Sequence, residues 1–188
     1  MKLKHLAVSI GFFSTLFLTA CGSSDSTTTT STTPLKEGNK IYENDNFSLQ
    51  IPMQWETIDK SSFTSNVPAE TIIGFRNHVK SDLFTANINI AQKEVDSTMP
   101  VKDFAKSSLE ITRNNLIGYQ LVNEKEGKNT YSTEFEGKKS ASEQIIHFKQ
   151  LHVINNSTAY TITGAYLPNE DESVVNAIGE MLESFMLK

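Results

Sequence analysis

The fold prediction starts from one stretch of the sequence, Phe47-Ser48-Leu49-Gln50-Ile51-Pro52-Met53-Gln54-Trp55. Apolar and polar residues alternate from Phe47 to Ile51, which is the two-residue period of a strand with one buried face. Pro52 has no backbone N–H to donate and therefore ends the strand or places it at a sheet edge. Trp55 is the only tryptophan, and we expect it to pack in the core or at its edge rather than to bind a ligand.

The segments around this stretch also have strand signals. Glu43-Asn44-Asp45-Asn46 is turn chemistry, so residues 40–42 are expected to form the other arm of a hairpin. These residues lack the glycine and distal glutamate of a calcium loop, so a turn is the better interpretation. Glycine and asparagine at later joints favour an antiparallel meander. Further strands are predicted over residues 71–76, 85–95, 119–124, 130–136, 141–154 and 158–166.

Two segments have a helical period instead. Apolar residues recur at helical spacing between residues 101 and 116, with Thr98 as the expected N-cap. A second amphipathic helix is expected over residues 174–185, where Asn169 and Glu172 resemble a capping box. Strands, a helix, a meander and a terminal helix together predict an α+β domain with helices packed on an antiparallel β-sheet.

The same opening stretch resembles the motif F-x-I-x-x-P-x-x-W of PsbP-like and DcrB-like proteins. The later order is also similar: a mid-chain helix, a strand meander, then an amphipathic helix that ends near Phe185. The resemblance covers residues 40–188 and implies a PsbP-like α/β/α sandwich around an antiparallel sheet. Members of this family bind partners and as a group are not known as enzymes. The resemblance itself implies little about activity, and we expect a non-catalytic protein.

The beginning of the chain has the order of a signal peptide. Lys2 and Lys4 precede the apolar run Leu6–Ala20, which at fifteen residues is shorter than the roughly 20 that a spanning helix needs. The run ends in Leu18-Thr19-Ala20-Cys21, which resembles a bacterial lipoprotein lipobox. That resemblance implies cleavage before Cys21 and a lipid on its sulfur. The alternative is an ordinary secretory signal with a chance cysteine.

The predicted lipid determines where the protein is expected to be. Mature bacterial lipoproteins carry a diacylglyceryl group, and two acyl chains anchor a protein far more firmly than one. Gly22 follows the cysteine, where an aspartate would be a common signal for retention in the inner membrane. We therefore expect the outer membrane in a Gram-negative source, and the outer leaflet of the cell membrane otherwise.

Composition divides the chain into three parts. Residues 1–20 are the predicted signal peptide, and residues 21–39 are the lipidated cysteine with a tether. Ten of the twelve residues from Gly22 to Thr33 are Ser or Thr. Such a composition cannot bury enough apolar surface to offset its ordering entropy, so we expect the tether, residues 21–39, to be disordered. Residues 40–188 are the usual size of one domain.

The charge and the missing motifs exclude several functions. Without Lys2 and Lys4 the chain has 15 basic and 22 acidic residues, a net charge of −7 with no basic stripe, so nucleic acid is not an expected partner. No nucleophile elbow, dinucleotide fingerprint or P-loop is present. The domain has no cysteine, which excludes thiol chemistry and cysteine-based zinc sites there. We expect no cofactor.

The remaining candidate ligands have structural interpretations. A spacing of five along one strand places His147 and His152 on opposite faces, so they are not expected to share a metal. The acidic run Glu170-Asp171-Glu172 suits the positive end of a helix dipole without any cation. His78 is expected to be solvated. Tyr160 and Tyr166 share a strand face and either pack on a helix or line a groove.

The sequence thus predicts a lipid-anchored cell-envelope protein with one α+β domain. Its expected task is to dock to another envelope protein or to assist a complex. The alternative is a lipoprotein that binds a small solute or a cation on its sheet face, and no ligand-binding residue can be assigned from the sequence. A flat exposed apolar patch would favour the first task, whereas a concave pocket with convergent polar groups would favour the second.

Overall fold

The computed structural model describes residues 34–64 and 67–188. The predicted signal peptide and the lipobox residues Leu18, Thr19, Ala20 and Cys21 lie outside the described residues. Within them, no helix is long and apolar enough to cross a membrane. The elements, in chain order, are β1 Asn39–Glu43, β2 Phe47–Pro52, β3 Glu56–Asp59, a single 3-10 turn Lys60–Ser62, β4 Thr71–Arg76, β5 Asn87–Glu94, α1 Val101–Asn115, β6 Ile117–Glu126, β7 Thr130–Lys138, β8 Ile146–Asn155, β9 Thr158–Tyr166, α2 Glu172–Glu183 and β10 Met186–Leu187.

The strands form two antiparallel sheets. The larger sheet has seven strands in the order β3-β4-β5-β9-β8-β7-β6, and the smaller has three in the order β1-β2-β10. Every pair of neighbouring strands is antiparallel. The predicted meander is the run from β6 to β9. The predicted α+β class is therefore confirmed.

The main core lies between one face of the large sheet and a layer formed by α2 and the small sheet. Phe47, Leu49 and Ile51 of β2 are buried there at 0–1% exposure, as their alternation predicts. Trp55 is 2% exposed and joins the same cluster, so its prediction as a core plug is confirmed. The apolar stripe of α2 contributes Ile178, Met181 and Leu182.

Helix α1 lies on the other face of the large sheet. Its Phe104 ring meets the ring of His152 edge to face, with 5.8 Å between centroids. His152 and its neighbour Val153 point to opposite faces, and Val153 belongs to the main core. The two helices therefore cover opposite faces of the sheet, which is the layering that the resemblance implied.

Several local predictions differ from the structure. Thr98 does not cap α1, because its own N–H and hydroxyl donate to Asp96 Oδ1, and Pro100 takes the N-cap position. The N-cap of α2 is Asp171 rather than Asn169, and it accepts from the N–H of Ser173 at 2.8 Å. β3 and β10 were not predicted, since four and two residues are too short to show a period.

Residues 34–38 run along the small sheet as a strap. The side chain of Gln50 accepts from the N–H of Lys36 and donates to the carbonyl of Pro34, both at 2.8 Å. The carbonyl of Gly38 accepts from the N–H of Met53 at 2.9 Å. Hydrogen-bonded structure therefore begins upstream of residue 40, within the segment predicted as tether.

Candidate functional site

Among the described residues the most exposed strand is β6, the last strand of the seven-stranded sheet. One side of β6 pairs with β7, and no strand pairs with its other side within residues 34–64 and 67–188. Nine of its ten residues are exposed. Among them are Ile117, Leu121 and Val122, which are 53%, 41% and 59% exposed. An unpaired edge with apolar side chains is a template for an added strand.

Two irregularities shape this edge. The register with β7 shifts between Ile117 and Gln120 and again between Leu121 and Asn123. Val122 is consequently the extra residue of a bulge. Bulges increase the local twist of a strand and restrict which strands can pair with it. The edge is therefore irregular and poorly suited to indiscriminate pairing.

Two ion pairs hold α1 against β6. Lys102 Nζ lies 2.7 Å from Glu126 Oε2, and Lys106 Nζ pairs with Glu124. The Glu124 carboxylate also accepts from the hydroxyl of Tyr131 at 2.8 Å. The hydrogen bond from Lys106 lowers the pKa of Glu124, which favours its charged form. These contacts fix the spacing between the helix and the edge strand.

A groove of about 350 Å³ runs between α1 and β6. Leu109 and Leu121 give it an apolar base, and Tyr119 lies beside them with its ring 5.5 Å from that of Phe135. Burial raises the pKa of Tyr119, so its hydroxyl remains a neutral donor. Basic and acidic side chains at the rim are those of Lys106, Arg113 and Glu110. The groove combines an apolar floor with charged walls, next to an open strand edge.

A second and larger cleft, of about 480 Å³, lies on the opposite face of the sheet, beside α2. Leu151, Leu182 and Phe185 supply apolar surface, and Lys149 with Glu134 supplies charge, with 3.8 Å between Nζ and Oε1. Asn123 and Lys125 of β6 line its outer side. The edge strand therefore contributes to both concave surfaces.

Gly179 lines this cleft on the α2 side. It lies in the third turn of α2, where glycine costs about 1 kcal/mol relative to alanine. A Cβ atom placed on Gly179 would meet no atom within 4 Å, so packing does not require a glycine there. By contrast, Gly164 of β9 is required, because a Cβ atom there would collide with Ile178 of α2.

His152 is the one strongly perturbed titratable group among the described residues. Its side chain is fully buried beneath α1, and burial lowers its pKa to about 4. Nδ1 lies 3.1 Å from the hydroxyl of Thr161, while Nε2 has no hydrogen-bond partner. Buried oxygens of Thr133 and Gln150, on the same face, also have none. Burial is the one cause of this displacement, so no charged group among the described residues contributes to it.

The other predicted ligands lie apart from one another. His147 is half-buried on the opposite face from His152, with Nε2 2.9 Å from Glu136 and its ring against Tyr166. The predicted separation of the two histidines is thus confirmed. Asp171 caps α2, which accounts for the acidic run, and His78 is exposed. In the part of the chain that the structure describes, no three His, Cys, Asp or Glu side chains form a metal site.

Tyr160 and Tyr166 pack rather than line a groove. Both are buried, and Tyr160 lies against Phe47 and Phe185 at centroid distances of 5.8 and 5.9 Å. Sequence reasoning missed the β6 edge and both concave surfaces. The density of polar residues in 120–126 signals exposure, but strand order, which makes β6 an edge, depends on long-range pairing.

Similarity to known proteins is confined to structure. No protein-family model matches the sequence, and no curated protein matches it. The chain is similar to the cyanobacterial PsbP protein, CyanoP, from Synechocystis sp. PCC 6803, with 13% identity and a TM-score of 0.59 over 80% of this chain and 93% of that one. It is also similar to LpqN of Mycobacterium tuberculosis, a protein involved in cell envelope biogenesis, with 16% identity and a TM-score of 0.55 over 80% and 90% of the two chains. At these identities the likeness shows the fold alone, and the fold is PsbP-like.

Proposed function

We propose that this protein is a non-catalytic, lipid-anchored cell-envelope protein that docks a partner protein at the β6 edge. The observation that carries the proposal is the exposed strand β6 with its apolar residues Ile117, Leu121 and Val122. The lipobox resemblance at Cys21 supplies the anchor. The PsbP-like fold agrees with a binding protein, although fold alone is weak evidence for function.

The partner that fits is an extended segment with alternating apolar residues. Main-chain hydrogen bonds along β6 would supply affinity, and alternate side chains would select the partner. Side chains on the α1 side of such a strand would reach the groove at Leu121 and Tyr119. The groove rim presents Arg113, so an acidic residue in the segment would be favoured there.

The test removes the apolar character of the edge and leaves its pairing with β7 unchanged. Leu121→Asp combined with Val122→Asp should lower co-purification of the partner at least tenfold, because each carboxylate would have to be buried in the interface. Ile41→Asp is the matched control, since Ile41 is 55% exposed on the small sheet. Equal co-purification by all three proteins would defeat the proposal.

A second candidate function is the binding of a small organic solute in the cleft beside α2. Its volume of about 480 Å³ and the opening left by Gly179 favour it. Gly179→Leu would fill the cleft from the helix side and should abolish solute binding while preserving partner docking. Loss of docking instead, with the fold intact, would link the cleft to the partner.

A further inference from the structure

At one end of the domain, loops carry exposed apolar side chains. The register of β3, β4 and β5 shows which end of the sheet this is. Glu56 pairs with Arg76, and Arg76 with Asn87, so β3 begins where β4 ends and β5 begins. Met53 lies three residues before Glu56. We call this the Met53 end. It comprises Met53 and the loop of residues 77–86.

The loop presents its apolar residues to solvent by its own hydrogen bonds. The N–H of Asn77 donates to the carbonyl of Ala86 at 2.9 Å and closes the base. Ser81 Oγ accepts from the N–H of Leu83 at 3.2 Å, and the Asn77 side chain accepts from Val79 at 3.3 Å. Val79 and Leu83 are then 62% and 69% exposed, and Met53 is 62% exposed.

Lysines accompany these apolar residues. Lys40 donates to the carbonyls of Met53 and Trp55 at 3.1 and 3.3 Å, which places its ammonium group at this end. Lys80 is in the loop itself, and its side chain is 58% exposed, 3.4 Å from Glu56. Apolar tips with flanking lysines are the chemistry of a surface that lies at the headgroup–acyl boundary of a bilayer.

The strap also ends at the Met53 end. The strap of residues 34–38 leads into β1, and Gly38 bonds to Met53. Pro34 is thirteen residues after Cys21, so a lipid on Cys21 can lie no farther from Pro34 than about 45 Å, whatever the conformation between them. A domain of this size is about 40 Å across. The tether is therefore long enough for the Met53 end to touch the bilayer.

We infer that the Met53 end rests on the bilayer, with Met53, Val79 and Leu83 at the headgroup–acyl boundary. The inference rests on the proposed lipid anchor at Cys21. It gives the domain a preferred orientation, in which β6 faces sideways along the membrane rather than into it. Such an orientation would keep the β6 edge accessible to a partner in the same membrane.

The experiment places a polarity-sensitive fluorophore on single cysteines in the full chain, purified from the membrane and reconstituted in vesicles of phosphatidylethanolamine and phosphatidylglycerol. The positions are Met53→Cys, Val79→Cys and Leu83→Cys. Met99→Cys is the control, because Met99 is an exposed apolar residue that precedes α1 at the opposite sheet end. We expect blue-shifted emission and quenching by nitroxide-labelled lipid at the first three positions, and neither at Met99.

The outcomes separate this inference from the anchor. Aqueous emission at all four positions, or equal quenching at all four, overturns the preferred orientation. The native Cys21 thiol reports on the anchor independently, since a lipidated sulfur cannot take the fluorophore. Labelling of Cys21 in the protein without an added cysteine would overturn the anchor and the orientation together.

Discussion

At the scale of single residues, buried polar and small side chains determine how the faces of the sheet meet their helices. His152 fills the space beneath Phe104 as a neutral ring, and it is held by one hydrogen bond to Thr161. Gly164 lets Ile178 of α2 approach the sheet closely. Neither role is visible in a strand pattern, where His152 counts as polar and Gly164 as a strand breaker.

The buried histidine predicts a pH-dependent stability. The unfolded chain takes up a proton on His152 near pH 6.5, whereas burial lowers the folded-state pKa to about 4. The unfolded state therefore binds more protons between these values, and the free energy of unfolding should fall as the pH drops from about 6.5 to about 4. The expected loss is roughly 3 kcal/mol and levels off below that range.

Urea unfolding across this pH range checks the prediction. His152→Gln, which keeps a side chain able to bond Thr161, should remove this component of the slope. His147→Gln should retain it, because His147 lies on the other face. An identical pH dependence in the parent and in His152→Gln would rule out the buried histidine as its source.

Substitutions of Gly164, which packs against α2, and of Gly179, which lies in α2, should change the free energy of unfolding in opposite directions. Gly164→Ala should destabilise the protein by about 1–3 kcal/mol, because its Cβ atom would collide with Ile178. Gly179→Ala should stabilise it by about 0.5–1 kcal/mol, because alanine favours the helix and meets no neighbour. Chemical denaturation of the parent and of each variant measures these changes in the free energy of unfolding. Destabilisation by Gly179→Ala would mean that the cleft wall does not tolerate a side chain.

At the scale of elements, the sequence predicts what depends on local periodicity. β4 and β9 have the predicted bounds, and α1 lies where its apolar stripe places it. α2 begins two residues earlier than predicted and ends at Glu183, so Phe185 of the predicted stripe lies just beyond the helix. The strand predicted over 141–154 begins only at Ile146, since residues 141–145 form turns and loop. β10 escapes prediction because its two residues are strand only through pairing with β2. The same dependence on pairing hides β6 as an edge.

The hydrogen bonds of the strap predict that the stable domain begins near residue 34, and truncated chains can test this boundary. A chain that begins at Pro34 should have the same thermal midpoint as one that begins at Gly22. A chain that begins at Lys40 should melt several degrees lower. It loses three hydrogen bonds to Gln50 and Met53, each worth about 1 kcal/mol. Equal midpoints for the chains from Pro34 and Lys40 would show that the strap contributes no stability.

At the scale of the whole molecule, the proposed function combines a predicted lipid anchor, a PsbP-like domain and an exposed strand edge. The anchor was predicted from Leu18-Thr19-Ala20-Cys21 alone, and the fold from the strand and helix order. The β6 edge and the groove beside it can be recognised only once the strands are assembled into the sheet. The sequence could not supply them, because strand neighbours such as β5 and β9 lie far apart along the chain.

The anchor predicts the behaviour of Cys21→Ala. Without the sulfur, the protein should leave the membrane fraction and lose incorporation of labelled palmitate. Thr19→Ser is the matched control, since it preserves a small residue within the lipobox and should remain membrane-bound. Unchanged palmitate labelling of Cys21→Ala would refute the lipobox prediction.

The most direct test of the central claim is photo-crosslinking in intact cells, with a photoreactive residue at Val122 and, in parallel, at Ile41. Docking at the β6 edge predicts that a photoreactive residue at position 122 captures one envelope protein reproducibly, that one at position 41 does not, and that Leu121→Asp abolishes the capture. Capture of the same proteins from both positions, or none from Val122 in anchored and folded protein, would contradict docking at the β6 edge.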